Sequence, residues 1–177
     1  EQRENIEVII KTCERLAEVK IGALIAIEQS IHLQEAVESG ISVDCEATPE
    51  MFETIFFPNN AIHDGGVILK GDRISFAACI FPLTQRQDLS RSLGTRHRAA
   101  IGLSEETDAI VVIVSEETGA VSYVGGLEIP AIKNTGIEFG NGAKFINPKI
   151  KYFESYTGDF DDVAKAKVDA TVDGTDL

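Results

Sequence analysis

The chain has 177 residues, a hydrophobic fraction of 44%, a charged fraction of 25% and a formal net charge of −13. That length suits one domain with its own core, and the apolar and charged shares are those of an ordinary globular protein. The acidic balance excludes a nucleic-acid coat or a polybasic membrane patch, both of which need an excess of Lys and Arg. A small anionic ligand stays compatible, because a pocket needs only a few local donors.

Ile6, Ile9, Ile10, Cys13, Leu16 and Ala17 recur at helical spacing between charged residues, which predicts an amphipathic helix over about 4–19. The apolar run Ile21-Gly22-Ala23-Leu24-Ile25-Ala26-Ile27 reads as a strand buried on both faces. His32 to Ser39 suits one or two helical turns, closed by Gly40. Thr48-Pro49-Glu50 has the form of an N-cap, a first-turn proline and an early acid, so a helix runs from there to about Phe57. Val67-Ile68-Leu69 and Ile74 to Phe81 form two strands joined at Gly71-Asp72. Leu89 to Leu93 and Ala99 to Leu103 suit short helices; Ala109 to Ser115 and Val121 to Val124 suit a second strand pair, turned at Thr118-Gly119.

Strands and helices interleave to about residue 124, which predicts an α/β fold with a mixed central β-sheet flanked by helices. Beyond Gly125-Gly126 Gly and Asn increase and apolar periodicity weakens, so the expected division is a domain over 1–125 and an extension of unknown role over 126–177. Extra strands, a partner-binding arm and partial disorder stay open for that extension. Cys13, Cys45 and Cys79 form no CxxC pair; Cys13, in a helical pattern, and Cys79, in an apolar run, read as buried thiols of a reducing compartment. No apolar run approaches the roughly 18 residues of a membrane span, and no signal peptide is visible. The sequence opens on Glu1 rather than Met, which leads us to expect a removed upstream segment.

Three stretches place polar residues and glycines where a core would not want them. In Asn59 to Gly66, directly before a strand, Gly65 and Gly66 let a ligand approach the backbone, and Asp64 can serve as a base or a metal ligand. Taken alone, Asp-Gly is also a common turn pair and His63 a common turn histidine. Gly94-Thr95-Arg96-His97-Arg98 precedes a helical pattern. Free amides at a helix start, a hydroxyl and two guanidiniums suit phosphate oxygens; surface salt bridging is the other use of such a cluster. Ser115-Glu116-Glu117-Thr118-Gly119 ends a strand, where a carboxylate can hold a phosphate-bridging cation or a polar turn can simply form. Together they supply the parts of a metal-assisted phosphoryl or nucleotidyl transfer site. Walker A and GxGxxG sequences are absent, so P-loop and Rossmann readings fail.

His63-Asp64-Gly65, followed by Leu93-Gly94-Thr95-Arg96-His97-Arg98-Ala99-Ala100 and then Ser115-Glu116-Glu117-Thr118-Gly119, resembles the signature of the diadenylate cyclase domain, in order and in spacing. The resemblance extends over roughly Ile6 to Val124, and the opening helix and strand look most like the membrane-anchored class. It implies the diadenylate cyclase fold and a nucleotidyltransferase that condenses two ATP into cyclic di-AMP, a bacterial second messenger, and two pyrophosphates. Asp64, Gly65 and Arg96 would be catalytic, Asp64 helping to activate the attacking 3′-hydroxyl. Gly66, Gly94, Thr95, Arg96, His97, Arg98 and Ser115 would bind ATP, with the Phe81 backbone reading the adenine edge and Ile80 lining the base. His63 and Glu117 would hold Mn²⁺ or Mg²⁺. It implies also a second copy facing the first, no nucleic-acid partner, and a soluble fragment of a protein held at the cytoplasmic face of the membrane by its upstream segment. A catalytically silent nucleotide sensor is the alternative function. Three departures stand out: Gly66 where the family usually has Ala, aliphatic Ile80 where an aromatic often stacks, and the stretch beyond Gly125.

Overall fold

The computed structural model describes residues 2–126 and 129–157. In chain order the elements are α1 (Gln2–Glu18), β1 (Ala23–Ile27), α2 (Gln34–Ser39), β2 (Ile41–Glu46), α3 (Pro49–Phe56), β3 (Gly66–Lys70), β4 (Arg73–Cys79), α4 (Thr95–Glu106), β5 (Ile110–Val114), β6 (Val121–Gly125), α5 (Pro130–Ile146) and β7 (Tyr152–Tyr156). The strands form one mixed sheet in the order β2-β4-β3-β1-β5-β6-β7. β1 is parallel to β3 and β6 to β7, and the other neighbours are antiparallel.

Both faces of the sheet are covered, and β1 shows why its sequence reads as a continuous apolar run. Ala23 and Ile25 pack with Ile9, Cys13 and Leu16 of α1, Phe52 and Ile55 of α3, and Phe139 of α5. Leu24 and Ala26 face the other way, onto Ala36 of α2 and Ala99, Ala100 and Leu103 of α4. A strand with helices on both faces has no polar side to alternate with. α3 begins as its sequence predicts: the Thr48 side chain accepts a hydrogen bond from the Met51 amide at 3.2 Å, and Pro49 needs no partner at the first turn. Arg15 joins α1 to α3 by donating twice to Glu53 and once to Glu50, each at 2.7 Å.

Some elements differ from the sequence expectation. Leu89 to Leu93 is a series of bends and turns, with Leu89 and Leu93 buried against Ile101 of α4. The short helix expected over Ala99 to Leu103 is the centre of the longer α4. β4 ends at Cys79, two residues early, because Ala78 adopts a φ of 53° and the pairing with β3 shifts there. β2 and α5 were not foreseen, and β7 is an extra strand of the kind left open for the extension. The sheet continues past Gly125-Gly126: β7 pairs with β6, and the buried Tyr123 hydroxyl donates to the Ile132 carbonyl of α5 at 2.8 Å. The acidic stretch 158–177 lies outside the described residues.

Candidate active site

The strand pairings bring the three polar stretches to one end of the sheet. Ala23 at the start of β1 is opposite Val114 at the end of β5, and Ile25 is opposite Val67 near the start of β3. Gly66, first residue of β3, is opposite Cys79, last residue of β4. The loops before β3, after β4 and after β5 therefore emerge side by side, and α4 starts beside them. Between them lies a cleft of about 720 Å³, lined by Asp64 and Gly65, Cys79 to Phe81, Gly94 to His97, and Ser115 to Glu117, with Leu24 and Ile113 among its apolar residues. That volume is in the range of small-molecule and cofactor sites.

Each segment is held by local chemistry. Gly65 has a φ of 99°, and a side chain there would also meet the backbone of Ala78 and Cys79 at 2.7–2.9 Å, so only glycine fits. Asp64 is exposed beside it and has no hydrogen-bond partner among the described residues. α4 starts at Gly94, which offers no side-chain cap, and its first turn carries no acid. The amides and positive dipole end are thus left to a ligand on the cleft. Arg96 pairs with Glu116 at 3.3 Å and keeps 30% of its side chain exposed. His97 Nε2 lies 3.2 Å from Ser122 Oγ. After β5 the chain turns tightly: the Gly119 amide donates to the Ser115 carbonyl at 2.9 Å, with Gly119 at a φ of 71°.

Not every sequence-nominated residue lines the cleft. Arg98 does not: its guanidinium donates to the carbonyls of Ser90 at 2.9 Å and Leu93 at 3.3 Å, so it braces the loop that leads into α4. His63 also lies off the lining, with Nδ1 2.6 Å from the Asn60 carbonyl. A carbonyl can only accept, so Nδ1 carries the proton and Nε2 the lone pair of the neutral ring, the tautomer a metal ligand needs. The described residues contain no group of three His, Cys, Asp or Glu able to hold a metal by themselves. Exposed carboxylates in a phosphate-sized cleft do suit Mg²⁺ or Mn²⁺, which commonly take one or two protein ligands and complete their shell with substrate phosphates and water. Glu116 and Leu24 were missed from sequence; Glu116 adjoins a nominated acid, and its pairing with Arg96 is the only mark that separates it from Glu117.

Cys79 of the cleft is the buried thiol its sequence predicts, whereas Gly66, nominated for ATP, lies off the lining. Burial pushes the Cys79 thiol up to about 11, so at neutral pH it is a protonated wall and not a nucleophile. Gly66 has a packing reason: an added Cβ would meet the Phe81 ring at 2.5 Å, and Phe81 is only 3% exposed. The ring fills the space a methyl group would take. Gly66→Ala should therefore cost about 1–3 kcal/mol of stability by overpacking, against the roughly 0.4–1 kcal/mol that a less flexible unfolded chain returns. Phe81→Leu in the same chain should recover most of that loss in denaturant melts.

Known proteins resemble this chain over about two thirds of its length. The family described as DisA bacterial checkpoint controller nucleotide-binding (DAC) matches residues 10–129. A second family, ABC transporter substrate-binding protein PnrA-like, matches residues 111–172, less than half of the chain, and that stretch includes α5 and β7. The cyclic di-AMP synthase CdaA of Bacillus subtilis is 46% identical over 121 residues, 68% of this chain and 44% of the relative, so the chain spans under half of that protein. A crystal structure of a DacA double mutant from Staphylococcus aureus superposes with a TM-score of 0.66 at 43% identity, over 69% of this chain and 81% of that one. The structure of a hypothetical membrane spanning protein from Bacillus cereus gives a TM-score of 0.65 at 42% identity, over 67% and 58%. Over its first two thirds, then, fold, cleft and sequence agree, and the chain belongs to the DAC family of nucleotide-binding domains.

Proposed function

We propose that the cleft binds ATP and that two such clefts, face to face, condense two ATP into cyclic di-AMP and two pyrophosphates. The observation that carries this reading is the convergence of Asp64-Gly65, Thr95-Arg96-His97 and Ser115 to Glu117 on one cleft. Its support from relatives is the similarity to a cyclic di-AMP synthase over 121 residues, together with the family match over 10–129, which contains the cleft residues.

The roles follow from the chemistry of the walls. The α4 amides, Thr95 and Arg96 receive the triphosphate, and Ser115 lies near a phosphate. Ile80, 74% exposed, offers an apolar surface to adenine at the cleft rim, and the Phe81 backbone reads the base edge. Asp64 accepts the proton of the ribose 3′-hydroxyl as its oxygen attacks the α-phosphorus of the facing ATP. A P–O bond forms, the bond from the α-phosphorus to the β-bridging oxygen breaks, and pyrophosphate leaves with that electron pair. A second, symmetric transfer closes the ring. Arg96 stabilises charge on the phosphate oxygens in a site from which the facing copy excludes water. Glu117 and His63 would hold Mn²⁺ or Mg²⁺, which would neutralise further phosphate charge. Arg98 acts at one remove, holding the 90–94 loop that sets the start of α4.

One cleft presents one hydroxyl and one α-phosphate, whose reaction partners belong to the opposite nucleotide, so specific activity should rise with protein concentration until pairs saturate. The net charge of −13 opposes pairing most at low salt. Initial rates with saturating ATP and Mn²⁺, measured alongside light scattering, check this. A strictly linear rate from a species that stays monomeric would rule out the paired site. No helix among the described residues is long and apolar enough to cross a membrane. We place the full-length protein at the cytoplasmic face of the membrane, through a segment outside this chain that would raise local concentration and favour pairing. The membrane-spanning description of the Bacillus cereus relative supports that placement.

A further inference from the structure

Gly22 immediately precedes β1 and is buried, yet its backbone does not demand glycine: among the described residues only Gly65, Gly71 and Gly119 are glycines with positive φ. What it lacks is room. A Cβ built on Gly22 would lie 2.5 Å from Nη1, 2.6 Å from Cζ and 2.9 Å from Nη2 of Arg96, and these are its three nearest neighbours. The guanidinium of Arg96 thus occupies the place where a side chain at position 22 would be. On another side, Arg96 Nη1 is 3.3 Å from Glu116 Oε2. An arginine on the first turn of a helix has four rotatable side-chain bonds and many equivalent directions into solvent. Here the guanidinium lies in the space left by the missing side chain and beside one carboxylate, at the cleft that Arg96 lines.

We infer that Gly22 is a positioning residue of the nucleotide site, its bare Cα being the seat that aims the Arg96 guanidinium at the triphosphate. This deepens the reading of the cleft as an ATP site and rests on it. The seat has a selective consequence. The atoms a methyl group would strike are the far end of a flexible side chain, so Gly22→Ala moves the guanidinium and leaves the backbone in place. The fork geometry that lets arginine engage two phosphate oxygens is lost by small displacements.

The test uses the whole chain with 3′-deoxy-ATP and 3′-deoxyadenosine, which cannot react, in calorimetry with Mg²⁺. Gly22→Ala should weaken 3′-deoxy-ATP on the order of tenfold, the size of one lost charge-assisted contact. It should leave 3′-deoxyadenosine and the melting midpoint unchanged. Arg96→Ala should show the same selectivity. The double variant should bind no more weakly than Arg96→Ala alone, because Gly22 acts only through that side chain. An additive loss in the double variant, an equal loss for both ligands, or no loss in Gly22→Ala beside a clear one in Arg96→Ala overturns the seat and leaves Arg96 as a phosphate ligand. No loss in Arg96→Ala overturns both the seat and that role of Arg96.

Discussion

Asp64→Asn should lower turnover by about 10²–10⁴-fold, the range for removing a general base, while ATP binding and the melting midpoint stay near those of the parent. The side chain is exposed and makes no hydrogen bond among the described residues, so nothing in the fold depends on its charge. The amide is nearly isosteric and cannot take the 3′-hydroxyl proton. Gly65, held at a φ of 99° against the backbone of Ala78 and Cys79, fixes where the side chain at position 64 leaves the chain. Steady-state rates and thermal melts on the same preparation check both halves. Activity equal to the parent would remove Asp64 from the mechanism; lost activity with a large drop in melting midpoint would make it structural.

The second large effect belongs to Arg96. Arg96→Ala should reduce kcat by about 10²–10³-fold, the cost seen when one donor to a developing oxyanion is removed, and should weaken ATP more than adenosine. Arg98→Ala should behave differently although it is only two residues away. Its guanidinium serves the carbonyls of Ser90 and Leu93, so its loss should loosen the loop and lower thermal stability together with activity. Melts and nucleotide titrations of the two variants side by side separate a phosphate ligand from a brace. Equal selectivity for ATP over adenosine in both would return Arg98 to the phosphate site.

The buried centre of the fold was legible because burial writes itself into sequence. β1, β3 and β5 centre on apolar runs, β6 carries Val121, Tyr123 and Val124, and α1 and α3 carry helical periodicity with a readable cap at Thr48. β2 carries a strand pattern, Ile41, Val43 and Cys45 alternating with Ser42, Asp44 and Glu46, that the sequence reading missed; it is an edge strand, exposed or half-exposed along its whole length. α5 escaped because Gly136, Gly140 and Gly142 argue against a helix. The structure gives reasons for all three: side chains there would meet Tyr156 and Tyr152, whose rings pack on the helix, and Ile10 of α1. Low helix propensity was accepted for close approach. The stretch over 89–93 went the other way: its leucines are buried by turns that no periodicity distinguishes from a helix turn.

The site divides along the same line. Residue types and spacing nominated Asp64, Thr95, Arg96 and Ser115, and the strand pairings bring them to one cleft. Direction was not legible. Arg96 and Arg98 are equivalent as letters, yet residues two apart on a helix face different ways, and one turns to the cleft while the other turns to its own loop. Gly66 and Gly22 needed coordinates for another reason: their meaning is the side chain that fills the space above them, Phe81 in one case and Arg96 in the other.

The account stands most directly on one measurement: incubation of the chain with ATP and Mn²⁺ at a concentration that saturates pairing, with mass identification and quantitation of every nucleotide formed. Cyclic di-AMP and pyrophosphate are expected in a ratio of one to two, with two ATP consumed per ring and a rate about 10²–10⁴-fold lower for Asp64→Asn. Saturable ATP binding by the same sample with neither product appearing would contradict it, and would make the cleft a nucleotide sensor.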